Sequence, residues 1–234
     1  MVICVAGPIA AGKNFVCSIL EERGFFCLDA DQEIHKIIGE KQAEILSRFS
    51  QSAASRGINL RSADGSLDRR ALGKLLFKDP ALLSEQEKIL YPEFVARVQA
   101  LIDTELAGKT KTASQPAAQK TKGVTDQNAA ADSSANQKAL VDQNARGLAI
   151  NAALLYKTPS LLRQCQKIIY VDAPLLVRAW RIRRRDRLPL LQIIRRIKSQ
   201  KGLMQEYERF AADYGIEMVR VWNWGSGVCS PLSL

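Results

Sequence analysis

A glycine loop near the N-terminus constrains the fold of this chain more than any other feature. Residues 7 to 14 read Gly-Pro-Ile-Ala-Ala-Gly-Lys-Asn, between an apolar, β-prone run at 2–6 and a stretch with helical spacing at 15–22. A strand, a loop of the form Gly-x-x-x-x-Gly-Lys and a helix N-terminus in this order are typical of the phosphate-binding P-loop. The pattern predicts a strand-loop-helix unit that binds a nucleoside triphosphate, and a chance glycine turn is the alternative.

Each part of the loop has a chemical role in this prediction. Gly7 and Gly12 allow backbone N–H groups to turn inward, and the dipole of the following helix adds positive potential there. The Lys13 ammonium can reach the β- and γ-phosphates as a point charge. The full motif ends in Ser or Thr, whose hydroxyl binds Mg²⁺, but Asn14 occupies that position. Its amide oxygen is also a candidate ligand for a hard cation, so we predict a metal contact for Asn14. The predicted triphosphate contacts are Gly7, Pro8, Ile9, Ala10, Ala11, Gly12, Lys13, Asn14 and Phe15.

Size and composition exclude several classes of protein. A chain of 234 residues that is 47% hydrophobic can bury a substantial core without disulfides. No apolar run reaches the roughly 18 residues that a membrane span needs, and the early start of the first strand argues against a signal peptide. The five cysteines include no Cys-x-x-Cys spacing, which predicts buried reduced thiols and a cytoplasmic location.

Most of the net charge of +10 is concentrated in one stretch. Between Arg178 and Lys201 there are ten Arg or Lys residues and a single acid, Asp186. A basic concentration of this kind serves a polyphosphate ligand or a nucleic-acid backbone. Trp180 is the only aromatic side chain in the stretch, which argues against stacking on nucleic-acid bases. A solvated helix face is the remaining alternative.

The alternation of strand-like runs and helical segments predicts an α/β fold with a parallel sheet covered on both faces. Pro92 predicts that one helix ends near Leu90 and that another begins at the proline. Residues 108–145 have no aromatic side chain and too little apolar surface to offset the entropy of ordering, so we expect a disordered or loosely helical surface insertion. A partner-binding arm is the alternative for this insertion. The other expected parts of the single domain are a core at 1–31, 147–177 and 216–227, a helical subdomain at about 32–107, and a basic lid at about 178–201.

Four separated stretches together resemble the dephospho-coenzyme A kinase family. The first is the P-loop, and the second is Asp29-Ala30-Asp31, similar to the Asp-Ala-Asp of that family. The third reads Asp-Gly-Ser-Leu-Asp-Arg-Arg-Ala-Leu-Gly at 64–73, then Phe-Lys-Asp-Pro and Leu-Tyr-Pro further on, and is the most specific. The fourth is Val-Asp-Ala-Pro at 171–174 with the basic stretch behind it, similar to the family's lid. The resemblance covers about 195 residues, all except the insertion and the tail.

The resemblance implies a three-layer P-loop kinase fold and an enzyme that uses ATP and Mg²⁺. Its reaction would be the phosphorylation of the 3′-hydroxyl of dephospho-coenzyme A. By resemblance, Asp31 takes the proton of that hydroxyl, and Asp29 is an orienting or metal-shell partner. Arg69 and Arg70, in the helical subdomain, are the candidates for binding the pyrophosphate of the acceptor.

The lid arginines complete the predicted site. Arg181 and Arg185 are four residues apart and therefore lie on one face of a helix. Guanidiniums at these positions would close over the triphosphate and stabilise the charge of the transferred group. Arg196 is expected on the nucleotide side. The predicted catalytic residues are Lys13, Asp31, Arg181 and Arg185.

The sequence also departs from the family pattern. Asn14 replaces the metal-binding hydroxyl, and residues 151–157 read Asn-Ala-Ala-Leu-Leu-Tyr-Lys where the family reads Asp-x-Pro-Leu-Leu-Phe-Glu. Two carboxylates are lost there, and His35 stands where an arginine is expected. Two alternatives therefore stay open: a kinase of another nucleotide or nucleoside, and a nucleotide- or nucleic-acid-binding protein without catalysis. The expected partners are small molecules, with no membrane, and the sequence does not fix the oligomeric state.

Overall fold

The structure is a computed structural model that describes residues 1–77, 79–112 and 146–224, with only the backbone for 105–112. The strands within these ranges form one sheet in the order β2-β3-β1-β4-β5. The pairs β1–β3, β1–β4 and β4–β5 are parallel. The strands are β1 (Val2–Ala6), β2 (Phe25–Asp29), β3 (Gly147–Asn151), β4 (Lys167–Asp172) and β5 (Glu217–Trp222). This confirms the predicted α/β fold with a parallel central sheet.

Helices separate the strands along the chain. A 3₁₀ turn at Leu155–Lys157 follows β3. The α-helices of the described ranges are α1 (Lys13–Glu22), α2 (Ala30–Glu40), α3 (Gln42–Ala54), α4 (Arg69–Leu76), α5 (Pro80–Thr112), α6 (Pro159–Leu162), α7 (Leu175–Asp186), α8 (Leu190–Lys198) and α9 (Leu203–Tyr214).

The chain divides into two compact units. The sheet unit consists of Met1–Leu28 together with the chain from Gln99 onward, and the helical unit is Asp29–Val98. The P-loop and the basic helices α7 and α8 therefore belong to the sheet unit. The helical unit contains most of the region predicted as a helical subdomain at 32–107.

The core of the sheet unit is built around β1. All five residues of this strand are buried, because it has a neighbouring strand on each side. A continuous apolar run is what a central parallel strand requires. The cluster around it includes Val16 and Leu20 of α1, Ile169 of β4 and Val221 of β5. The loop that follows β1 therefore leaves from a rigidly packed strand.

In the helical unit a buried carboxylate is held by a cation. The side chain of Glu33 is only 1% exposed, and Arg97 donates to it at 3.0 Å. Arg97 also pairs with Glu40 and, at 2.9 Å, with Glu93. Because α2 contributes both Glu33 and Glu40 while α5 contributes Arg97, this cluster ties the two helices together.

The helices differ from the sequence expectations at Pro92. Pro92 lies inside α5, which runs unbroken from Pro80 to Thr112, so the prediction of a helix boundary there was wrong. A proline removes one backbone hydrogen bond and bends a helix, but the packing of both halves can outweigh that local loss. Residues 108–112 of the predicted insertion are also helical. The remainder of that insertion, 113–145, lies outside the described residues.

Candidate active site

The P-loop follows a backbone path that only small residues allow. Gly7 and Gly12 have φ values of +142° and +101°, which L side chains rarely adopt. A Cβ on Gly7 would lie 2.1 Å from the carbonyl oxygen of Val171, and one on Gly12 would lie 2.0 Å from Nδ2 of Asn223. Ala10 also has a positive φ of 59°, a sparsely populated conformation of the kind that concentrates at ligand-binding loops.

The Lys13 ammonium folds back over the start of the loop. Its Nζ donates to the carbonyl oxygens of Gly7 at 3.0 Å and Pro8 at 3.4 Å. The predicted phosphate-binding lysine is therefore placed against the loop by the loop's own backbone.

Two arginines of α7 bind the remaining carbonyl groups of the loop. Nε of Arg178 donates to the oxygen of Ile9 at 3.0 Å. Nη1 of Arg181 donates to the oxygens of Ala10 and Ala11, both at 3.1 Å. The structure thus brings Arg181 to backbone oxygens of the P-loop, and its predicted contact with the triphosphate stays a prediction.

These contacts determine where the backbone N–H groups point. In a trans peptide the carbonyl and the next N–H point in opposite directions. The N–H groups of Ala10 and Gly12 therefore point away from the arginines that bind the preceding carbonyls. Among the described residues, no side chain caps the N-terminus of α1 at Gly12. The loop and the uncapped first turn of α1 form the arrangement that binds anions.

Arg178 is a buried cation beside this loop. It is 9% exposed, and its Nη2 atom has no hydrogen-bond partner among the described residues. Burial lowers the pKa of the Arg178 guanidinium, with the charge of Asp172 opposing this effect. Burial likewise lowers the pKa of Arg181. Arginine stays protonated in proteins even so, and these two charges favour an anionic ligand nearby.

Two amide side chains complete the frame of the loop. Oε1 of Gln200, after α8, accepts from the N–H of Ile9 at 2.6 Å. Oδ1 of Asn223, after β5, accepts from Nη2 of Arg181 at 2.9 Å. The backbone N–H of Asn223 donates to the backbone oxygen of Asp172 at 2.8 Å. Asn223 therefore lies against Gly12 of the loop and holds Arg181 there.

The outer lid arginines have a different environment. Nε of Arg185 donates to Asp186 at 2.7 Å, and Nη1 of Arg196 donates to the same carboxylate at 3.1 Å. The hydrogen bond from Arg185 is the main cause of a lowered pKa for Asp186. The structure brings Arg185 and Arg196 together at Asp186, and the roles of both at the nucleotide stay predictions.

The predicted acceptor-side acids belong to the helical unit. Asp29 caps α2, because its carboxylate accepts from the N–H groups of Asp31 at 3.0 Å and Gln32 at 3.2 Å. The Asp31 side chain is exposed in the first turn of that helix. The proposed proton transfer to Asp31 therefore stays a prediction.

The predicted pyrophosphate-binding arginines also start a capped helix. Asp68 accepts from the N–H groups of Arg70 at 2.8 Å and Ala71 at 3.1 Å, which caps α4. Arg69 and Arg70 are exposed at its first turn. Their predicted role is compatible with that exposure and stays a prediction.

The position of the expected metal ligand is occupied by an amide pair. Nδ2 of Asn151, at the end of β3, donates to Oδ1 of Asn14 at 2.9 Å. Within the described ranges no three His, Cys, Asp or Glu side chains are grouped so that they could hold a metal ion. Mg²⁺ prefers carboxylate and phosphate oxygens in an octahedral shell, so the residues beside this loop fit it poorly.

Two of the residues described above were missed from the sequence. Arg178 is three residues before Arg181, which places it on the same helix face, and this spacing was an available signal. Asn223 lies directly after β5 in Trp222-Asn-Trp-Gly225, and no motif of the sequence analysis pointed to it.

The central strand, the loop behind it and the arginines of α7 together define a P-loop kinase of the α/β class. No helix in the described ranges has both the length and the apolar character needed to cross a membrane. The model of the dephospho-CoA kinase family matches residues 1–117. The chain belongs to the dephospho-CoA kinase family.

Similar proteins support this assignment. The dephospho-CoA kinase of Treponema denticola is 32% identical over 213 residues, which cover 91% of this chain and 79% of that protein. The dephospho-CoA kinase of Treponema pallidum is 33% identical over 207 residues, covering 86% of this chain and 78% of its own. The crystal structure of TT1252 from Thermus thermophilus shares the fold, with a TM-score of 0.62 at 20% identity, covering 97% of this chain and 90% of that one.

Proposed function

We propose that this protein transfers the γ-phosphoryl group of ATP to the 3′-hydroxyl of dephospho-coenzyme A. The observation that supports it most directly is the P-loop with Lys13, Arg178 and Arg181 bound to its carbonyl groups, in a chain of this family. The products are ADP and coenzyme A. The same chemistry on another nucleotide or nucleoside is the nearest alternative.

ATP binding follows from the chemistry of the loop. The N–H groups that point away from the arginines, together with the first turn of α1, bind the phosphate oxygens. Lys13 lies on the loop backbone and adds a point charge for the β- and γ-phosphates. Phosphoryl transfer needs positioning and charge stabilisation more than covalent participation by the protein, and the loop with its cations supplies both.

Arg181 stabilises the transferred group in this proposal. It is fixed by Ala10, Ala11 and Asn223, so its charge is held in place before the reaction. A preorganised charge of this kind costs no reorganisation when the transition state forms. Arg185 and Arg196 would join it at the nucleotide by exchanging Asp186 for phosphate oxygens.

Asp31 is the proposed general base. The acceptor oxygen attacks the γ-phosphorus, the bond from that phosphorus to the bridging oxygen of ADP breaks, and the hydroxyl proton passes to the Asp31 carboxylate. Asp29 would orient Asp31 through its hydrogen bond to the Asp31 backbone. Arg69 and Arg70 would bind the pyrophosphate of the acceptor. The predicted Mg²⁺ finds poor support in the residues beside the loop, so no step here depends on a metal.

The cytoplasmic location is proposed from the thiols. Cys4, Cys17, Cys27 and Cys165 are all free, as expected for a chain in a reducing compartment.

A coupled assay that detects ADP, with coenzyme A measured by chromatography, tests the function. We expect turnover with dephospho-coenzyme A and little with adenosine or AMP as acceptor. Asp31→Asn should lower kcat by at least about 10²-fold, since a positioned base typically contributes that much. The matched control is Asp213→Asn, an exposed acid of α9, which should leave kcat unchanged.

Two outcomes would contradict the proposal. Full turnover by the Asp31→Asn variant would exclude Asp31 as the base. Absence of ATP hydrolysis or transfer, combined with salt-sensitive binding to random duplex DNA, would favour a nucleic-acid-binding protein.

A further inference from the structure

We infer that Asn14 and Asn151 form an amide pair that lets the P-loop bind ATP with little dependence on divalent cations. The inference rests on the proposed ATP binding. It assigns to Asn14 a role different from the metal contact predicted from the sequence. It also assigns a role to Asn151, which sequence analysis identified only as a lost carboxylate.

The two residues are brought together by the fold. Asn14 lies in the first turn of α1, directly after Lys13. Asn151 ends β3 beside Val5 of β1, and is only 7% exposed. The hydrogen bond between their amides is 2.9 Å long, although the residues are 137 positions apart in the chain. The two departures from the family pattern therefore occupy one site.

The pair changes the chemistry of that site. A Ser or Thr hydroxyl can offer a lone pair to Mg²⁺, and a nearby carboxylate adds a negative charge. Here both side chains are neutral, and the Asn14 oxygen already accepts a hydrogen bond from Asn151. A magnesium ion would have to compete for that oxygen without any charge to attract it. The protein therefore binds the magnesium complex of ATP and free ATP with similar affinity.

Asp172, the last residue of β4, does not restore the metal site. One carboxylate oxygen of Asp172 pairs with Arg220 at 2.6 Å, and the other accepts from the N–H of Ala173 at 2.8 Å. Asp172 is therefore already neutralised by a guanidinium. Lys157, at the end of the 3₁₀ turn after β3, stands where the resemblance expects a second carboxylate. Its charge repels a cation.

Side-chain cations supply positive charge in place of the metal. Lys13, Arg178 and Arg181 all contact the loop backbone. The Nη2 atom of Arg178 is buried without a partner among the described residues, which is unfavourable unless an anion is close by. These three fixed charges can neutralise much of a triphosphate that arrives without a metal.

Calorimetric titration with ATP tests the inference. The dissociation constant of the unmodified protein is measured once with excess EDTA and once with excess Mg²⁺. We expect the two values to agree within about threefold, which is less than 1 kcal/mol. A dissociation constant at least tenfold lower with Mg²⁺ would overturn the inference, because the protein would then recognise the metal.

A designed pair of substitutions gives a second test. Asn14→Thr together with Asn151→Asp restores the hydroxyl and the carboxylate, and should make ATP affinity at least tenfold higher with Mg²⁺ than with EDTA. Each single substitution should produce a smaller change than the pair. Asn59→Asp, an exposed amide of the helical unit, is the control for added charge and should keep the ratio of the unmodified protein.

The outcomes separate the inference from the function on which it rests. ATP binding only in the presence of Mg²⁺ overturns the inference and keeps the kinase. No ATP binding in either buffer overturns the proposed function and the inference with it. A double variant with no gained metal dependence, despite an unchanged melting temperature, contradicts the assignment of the site to these two residues.

Discussion

Arg181 and Asn223 are joined by a hydrogen bond of 2.9 Å from Nη2 to Oδ1, which leaves Nη1 of the arginine to bind the P-loop. One guanidinium therefore connects the residue after β5 to the loop after β1. The forked, planar shape of arginine makes this possible, and lysine cannot reproduce it.

Replacing Arg181 by lysine should impair the reaction. An ammonium cannot hold Ala10, Ala11 and Asn223 at once, so both the loop and the charge lose their fixed positions. We expect kcat/KM for ATP to fall by about 10²-fold in steady-state kinetics, comparable to the loss of one preorganised donor. Arg183→Lys, on an exposed position of the same helix, should change it less than twofold. Equal losses in both variants would mean that the effect does not come from the contacts of Arg181, and an unchanged value for Arg181→Lys would mean that only its charge matters.

A methyl group at Gly12 should damage the loop. The φ of +101° is strained for alanine, and its Cβ would meet Nδ2 of Asn223 at 2.0 Å. Gly12→Ala should cost about 1–3 kcal/mol of unfolding free energy in urea denaturation and reduce ATP affinity. Gly39→Ala is the control, because nothing lies within 4 Å of its added Cβ inside α2. That control should be neutral or stabilising by up to about 1 kcal/mol, as alanine favours helices.

Removing Arg97 should destabilise the helical unit through Glu33. The carboxylate is 1% exposed, and Arg97→Met removes one of its cations while the pair with Lys36, at 3.2 Å, stays. Breaking a buried pair from one side costs up to about 3–5 kcal/mol, and the lysine should reduce this to roughly 2–3. Urea denaturation measures the loss.

Two further variants identify the cause of the Arg97 effect. Adding Glu33→Gln to Arg97→Met should recover part of the stability, because the isolated charge is gone. Arg48→Met breaks an exposed pair with Glu85 and should cost less than about 1 kcal/mol. A double variant less stable than Arg97→Met would show that the charge of Glu33 without Arg97 is not the cause of the loss.

Cys165 should make the protein less stable in alkali. Burial raises its pKa to about 12, against roughly 8.5 in an unfolded chain. Because the folded pKa is the higher one, the stabilising contribution is complete below pH 8.5 and is lost as the pH rises towards 12. Across that window the unfolded state binds fewer protons, so this thiol lowers stability by at most about 1.4 kcal/mol per pH unit.

The difference between the parent protein and Cys165→Ala isolates this thiol from other alkaline groups. Denaturation between pH 8 and 10.5 should show a shallower decline for the variant. Parallel pH profiles for the two proteins would be inconsistent with the raised pKa.

The parts of the fold that depend on local sequence were predictable. The strand-loop-helix unit at the N-terminus is one example. Its apolar run, its glycine spacing and its helical periodicity all lie within about 20 residues of sequence. The runs at 167–172 and 217–222 also carry a local strand signal, because β-branched residues cluster or alternate within them, and they form β4 and β5.

Other features depend on tertiary packing and were not predictable. No element was assigned to 203–214, although Leu203, Tyr207 and Ala211 have the spacing of a buried helix face in α9. That helix is fixed by the buried hydroxyl of Tyr207, which accepts from the N–H of Leu155 at 3.0 Å. The unbroken α5 likewise reflects the burial of Leu90 and Phe94 on either side of the exposed Pro92 rather than local propensity.

The candidate site divides in the same way. The motif identified Lys13 and both glycines, because their spacing alone defines the loop. The contact between Asn14 and Asn151 joins residues 137 positions apart. Because no sequence motif describes a pair of neutral amides at such a separation, this contact could not be predicted. Arg185 was predicted at the phosphates from helix spacing alone, which gave no indication of its neighbour Asp186 as a competing anion.

Ile9 receives a hydrogen bond at its oxygen from Arg178 and gives one from its nitrogen to Gln200. The basic hairpin formed by α7 and α8 is therefore hydrogen-bonded to Ile9 of the loop near its first and its last residues. Lengthening or shortening the turn at 187–189 would alter how far the tip of the hairpin extends, yet leave this double anchor unchanged. Natural variation in lid length can therefore accumulate at the tip without disturbing the geometry of phosphate recognition.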